Sequence, residues 1–109
     1  MTVIRQEDLI ESIADALQFI SYYHPLDFIR AMRGAWEKEE SPSAKAALTQ
    51  VLVNSRMCAI GKRPICQDTG IVNVFISVGM DVSWEADMSL EDMINEGVRR
   101  GYTHPENVL

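Results

Sequence analysis

Arg63-Pro64-Ile65-Cys66-Gln67-Asp68-Thr69-Gly70 divides the chain into two patterns: apolar residues at helical spacing run up to Gly61, and a period-two alternation begins at Ile71. Pro64 fixes its own φ and pushes Arg63 towards extended geometry, while Gly70 allows a turn that a residue with a Cβ resists. Between them stand a thiol, an amide, a carboxylate and a hydroxyl. Residues 62–70 are therefore read as a held loop at a helix-to-strand junction, a place where a scaffold can aim polar groups at a ligand.

Upstream of the loop the first 61 residues read as helical. Leu9, Ile13, Leu17 and Ile20, with Ile10 and Ala14 beside them, form one stripe, and Glu7, Glu11, Asp15 and Gln18 are left for water, so a first helix is expected from about Gln6 to Tyr22. His24-Pro25 breaks it, and a second helix starts near Pro25 with Leu26, Ile29, Met32 and Trp36 as its stripe. Ser41-Pro42 is a cap followed by a first-turn proline. A third helix begins there, carries Ala44, Leu48, Val51, Leu52, Ser55 and Cys58, and is expected to stop at Gly61.

Downstream, Val72, Val74, Ile76, Val78, Met80 and Val82 alternate with Asn73, Phe75, Ser77 and Asp81, which predicts a strand or hairpin within residues 71–84, bent at Gly79. Ser89-Leu90-Glu91-Asp92 resembles a capping box and opens a closing helix over residues 89–103, which His104-Pro105 ends. The expected fold class is α/β or α+β, with a mainly helical first half. A single strand system leaves a sheet with too few partners, and Val108-Leu109 ends on apolar residues, so the chain is read as part of a larger amino-terminal domain.

The composition narrows the ligand. With 109 residues and 47% hydrophobic content there is material for one domain. A net charge of -6 without a basic cluster speaks against nucleic acid and anionic membranes as partners, leaving a small molecule. A charged amino terminus and no spanning apolar run give a cytoplasmic reading. Two cysteines, Cys58 and Cys66, are too few for a disulfide scaffold and wrongly spaced for a zinc ribbon or a redox pair.

Cys66 has three readings: a core thiol, a nucleophile or a ligand to a soft metal centre, with Lys62 and Arg63 raising the local potential that favours a thiolate. Cys58, on the stripe of the third helix, is a packing residue. Asp68 either forms an Asx-turn towards Gly70 or carries a proton, Gln67 has the donors to orient a carboxylate, and Thr69 bonds a nearby amide. His24 and His104 are turn residues before prolines, and Trp36 and Trp84 are core aromatics.

The loop resembles the amino-terminal cluster-binding motif of the iron-sulfur class I fumarate hydratases. Asn54-Ser55-Arg56-Met57-Cys58 before it and Met93-Ile94-Asn95-Glu96-Gly97-Val98-Arg99-Arg100 after it are similar to the same family, while the L-tartrate dehydratase alpha subunits share Cys-Gln-Asp-Thr-Gly. The resemblance implies that Cys66 is one of three cysteine ligands of a 4Fe-4S cluster, the other two lying outside this chain. It implies further that Gln67 and Asp68 contact a dicarboxylate, with Asp68 the candidate for proton transfer and Thr69 and Gly70 shaping the turn. The implied activity is the hydro-lyase interconversion of fumarate and (S)-malate in the tricarboxylic acid cycle, by a homo-oligomer, expected to be a homodimer, in which the cluster acts as a Lewis acid. The fragment alone is expected to be inactive. The rival readings are a tartrate dehydratase alpha subunit and, from another class, a scaffold or subunit-contact module without a catalytic role.

Overall fold

In a computed structural model, which describes residues 1–65 and 71–107, the chain folds as β1 (Thr2–Arg5), α1 (Gln6–Tyr22), α2 (Leu26–Lys38), α3 (Pro42–Gly61), β2 (Val82–Glu85) and α4 (Leu90–Thr103). This is a mostly helical α+β arrangement. Among the described residues it divides into two compact units, one made of 1–18 and 71–107, the other of 19–65. The end of α1 belongs to the second.

In the first unit β1 and β2 pair in parallel, with Thr2 opposite Val82 and Arg5 opposite Glu85. Four residues rich in β-branched side chains suffice for β1, which the charged amino terminus had concealed. Just beyond the ladder Gln6 Oε1 accepts from the amides of Asp87 and Met88 at 3.0 and 3.1 Å, fixing the approach to α4. Ser89 caps that helix, its hydroxyl accepting from Asp92 N at 3.1 Å.

The core of this unit is formed by Ile10, Ala14 and Leu17 of α1 and Met93 of α4, all buried. Burying Ile10 and Met93 completely contributes about 1.5–3 kcal/mol each. Close approach of the two helices depends on Gly97 and Gly101: a Cβ on Gly97 would stand 2.7 Å from Ile13 Cβ and 3.0 Å from the Ile10 carbonyl. Gln18 Nε2 donates to the Gly101 carbonyl at 2.6 Å along the same seam. Within this unit the buried face of α1 is therefore the Ile10, Ala14 and Leu17 row, rotated from the expected stripe; Ile20, in the part of α1 that belongs to the second unit, is 58% exposed. The rotation has a cause that helical periodicity does not carry, because two glycines on α4 bring its backbone against this row.

The strand expected within 71–84 forms only at Val82–Glu85. Residues 71–79 have no regular structure, and Gly79 opens a turn in which its carbonyl accepts from Val82 N at 3.3 Å, rather than bending a strand. Among the described residues the ladder begins with Thr2 opposite Val82, so the alternation over 71–79 has no paired backbone beside it, and a strand without a ladder partner is not stable in water. Trp84, within β2, is half-buried.

In the second unit α2 and α3 pack together. Ser41 caps α3, its hydroxyl accepting from Ala44 N, with Pro42 in the first turn as the sequence indicated. Between the helices Trp36 Nε1 donates to Thr49 Oγ1 at 2.9 Å, and Lys45 Nζ lies 4.2 Å above the Trp36 ring. No residue of α2 is buried; Trp36 sits at the rim rather than in a core, and Leu26 is 62% exposed. The apolar stripe read for α2 thus has only partial cover.

Candidate functional site

The sequence placed the site in the loop after α3, and the structure describes how the chain is led there. Gly61 is the last helical residue rather than the stop; Lys62 takes the left-handed conformation, with φ 49°. The amides of Lys62 and Arg63 turn back to the Cys58 carbonyl, the latter at 3.1 Å, which is a Schellman-type ending with lysine in the place that glycine usually fills. Arg63 then folds back over the helix end, its Cγ and Nε 3.6 Å from where a Cβ on Gly61 would sit. There the guanidinium suits the negative end of the helix dipole.

Two further bonds hold the next residues. The Cys58 thiol donates to the Pro64 carbonyl at 3.3 Å, with Asn54 Oδ1 a longer alternative at 3.7 Å. The Ile65 amide donates to the Ser21 carbonyl at 2.7 Å, and the Ile65 side chain is buried. Cys58 and Ser21 are themselves buried. Every residue from Lys62 to Ile65 is thus tied to the body of the second unit. Cys66, Gln67, Asp68, Thr69 and Gly70, on which the readings as metal ligand, substrate contact, proton carrier and turn fall, lie outside the described residues.

Beside Ile65 the second unit has an open hollow of about 400 Å³ lined by His24, Phe28, Gln50, Val51, Asn54 and Ile65. His24 Nδ1 is hydrogen-bonded to the buried Ser55 hydroxyl at 2.9 Å, and its ring stacks on Phe28 with centroids 4.3 Å apart. His24 therefore joins the turn before α2 to α3. No lysine or arginine is among the described lining residues, so these side chains do not supply the cations that a dicarboxylate needs. His104 has a turn role, accepting from Glu106 N at 3.0 Å.

Charge gathers on α4 of the first unit instead. Glu96 accepts from Arg99 Nε and Nη2 at 2.8 and 2.6 Å and from Arg100 Nε at 3.0 Å, while Arg100 also pairs with Glu7. Hydrogen bonds from Arg99 and then Arg100 hold the Glu96 carboxyl far below the ordinary range, at about 2, and the same bonds push both arginines up. With each arginine occupied, this network is structural in the described residues.

Among the described residues no three His, Cys, Asp or Glu side chains are gathered where a metal ion could be held. Cys58 is buried and its thiol donates to an oxygen acceptor, while Cys66 lies outside the described residues. Sequence reading missed Ser21 and Ser55 as structural partners. The signal for Ser55 was available, since it stands three residues before Cys58 on one helical face.

A family model described as fumarate hydratase (fumerase) matches residues 10–109. The chain is also 28% identical over 88 residues to the Methanocaldococcus jannaschii protein named "Putative L(+)-tartrate dehydratase subunit alpha", a match that covers 81% of this chain and 31% of that one. The chain thus corresponds to less than a third of that relative's length. No solved structure matches.

Proposed function

The chain belongs to the fumarate hydratase family, whose model it matches over residues 10–109, and on that premise we propose that it forms the opening part of a cytoplasmic hydro-lyase that interconverts fumarate and (S)-malate. The observation that carries this reading is that the family match runs through Cys66-Gln67-Asp68-Thr69-Gly70 and that the chain leading into it is held residue by residue. Family membership supports the hydro-lyase class; fumarate as the substrate is the finer step. No helix of the described residues is long and apolar enough to cross a membrane.

In this reading Cys66 holds one corner of a 4Fe-4S cluster as thiolate. When bound, a cluster with one iron free of protein ligands supplies a Lewis acid for the substrate's oxygen. Gln67 offers two amide donors to a substrate carboxylate, fixing its orientation. Asp68 is the carboxylate of this loop able to exchange the proton of the reaction. The full-length enzyme is proposed to be a homodimer.

The name of the Methanocaldococcus jannaschii relative favours a second reading, a tartrate dehydratase alpha subunit. Anaerobic assay of the full-length protein separates the two: malate formed from fumarate is expected, with iron and inorganic sulfide present in stoichiometric amounts. Oxaloacetate formed from tartrate, with no turnover of fumarate, would move the substrate to tartrate. An iron-free, fully active hydratase would remove the cluster.

A further inference from the structure

We propose that Cys58 is a positioning residue for the Cys66 loop, acting with the Ser21 carbonyl as a clamp on the Pro64–Ile65 peptide plane. The inference rests on the hydro-lyase reading for its consequence and on hydrogen-bond geometry for its existence. The Pro64 carbonyl and the Ile65 amide belong to one peptide unit, and in a trans peptide they point in opposite directions. One end of that plane accepts from the Cys58 thiol at 3.3 Å; the other donates to the Ser21 carbonyl at 2.7 Å. A plane gripped at both ends cannot rotate about its flanking bonds without breaking one bond or the other.

The grips come from different helices, α3 for Cys58 and the last turn of α1 for Ser21. Cys58 also receives the amides of Lys62 and Arg63 on its own carbonyl. One residue therefore holds three successive residues of the stem, two through its backbone and one through its side chain. Only the last of these can be altered by mutation without rebuilding the helix end. Immediately after Ile65, whose side chain is buried, comes Cys66. The clamp thus sets the point from which the reactive loop departs, and a displacement of about 1 Å in such a part can cost up to about 10²-fold in rate.

A packing role and a positioning role predict opposite orders for two substitutions in the full-length protein. Cys58→Val keeps an apolar side chain of similar volume but has no donor; Cys58→Ser keeps a donor but puts a hydroxyl in an apolar site. If the thiol positions the loop, Cys58→Ser stays within about threefold of the parent kcat, whereas Cys58→Val falls by about 10- to 100-fold with less bound iron. Hydrogen exchange at the Ile65 amide should rise in Cys58→Val and not in Cys58→Ser, at matched Tm. The same exchange experiment, with alkylation of the Cys66 thiol, is run on metal-free protein, so the clamp is read even if the hydro-lyase assignment fails. Cys58→Ala serves as the donor-free variant should valine prevent folding. Parent-like kcat and Ile65 protection in the donor-free variant, with Cys58→Ser the more damaged, would reduce Cys58 to packing and overturn the proposal.

Discussion

The helices of the first unit meet through glycine, so that α4 lies against α1 with no room for one more methyl group at Gly97. In the second unit α2 buries no residue, a hollow stays open beside Ile65, and the firm contacts are single polar bonds such as Trp36 to Thr49 and His24 to Ser55. Dense packing gives the first unit its rigidity. Directed bonds give the second something else, a loop stem whose every residue is individually held. The proposed chemistry sits at the end of that stem, which is consistent with function being placed where a scaffold is precise but not filled.

One substitution type made in both units breaks the comparison most sharply if it is wrong. Gly97→Ala should destabilise by about 1–3 kcal/mol, because overpacking against Ile13 and the Ile10 carbonyl exceeds the gain in helix propensity. Gly34→Ala in α2 has nothing within 4 Å of the new Cβ and should stabilise by up to about 1 kcal/mol. Denaturant unfolding of the two variants, with local hydrogen exchange to assign the change to its unit, tests both signs. Equal effects would mean that the two units are packed alike.

A smaller effect is expected at the head of the stem. Lys62→Gly relieves a left-handed backbone that costs a side chain roughly 1 kcal/mol, offset in part by greater freedom of the unfolded chain, so a net gain of about 0.5 kcal/mol should appear as a higher denaturant midpoint. A loss would show that the lysine side chain has a role that the left-handed turn does not explain.

The smallest effect concerns acid. Glu96 has its pKa lowered from 4.5 to about 2 in the folded chain, so its contribution is complete above about 4.5 and is lost as the pH falls from there towards 2. Its partners are partly exposed and salt screens them, so the change should be modest. Glu96→Gln should leave a shallower loss of stability between those pH values, measured as denaturant midpoints at neutral pH and at pH about 3. An unchanged acid slope would show that the arginine bonds do not persist in solution.

Much of the helical architecture was legible because its signals are local. Gln6 to Tyr22, the Ser41-Pro42 start and the Ser89 cap are written in spacing and in capping side chains, and each is found where it was read. What failed was non-local. The alternation from Val72 to Val82 specifies a strand only if a partner backbone runs beside it, and β1 supplies one from Val82 onward. The clamp on Pro64 and Ile65 joins residues 6 and 44 positions apart in the chain, a relation that no window on the sequence contains. The loop's chemistry was legible in another way: five residue types in one order carried a family resemblance, and the match over residues 10–109 agrees with it.

The central claim is that the Cys66 loop carries the reaction, and a paired variant measurement on the full-length enzyme reaches it most directly. Asp68→Asn keeps the shape and the acceptor oxygen that an Asx-turn needs and removes a carboxylate able to carry a proton; Cys66→Ser replaces a thiolate by a harder, far less acidic ligand. Iron content and kcat are determined for both under anaerobic conditions. The account predicts a fall of ~10²- to 10⁴-fold in kcat for Asp68→Asn with iron retained, and loss of iron and activity together for Cys66→Ser. Near-parent kcat and full iron in both variants would contradict it, and the chemistry would then lie outside this loop.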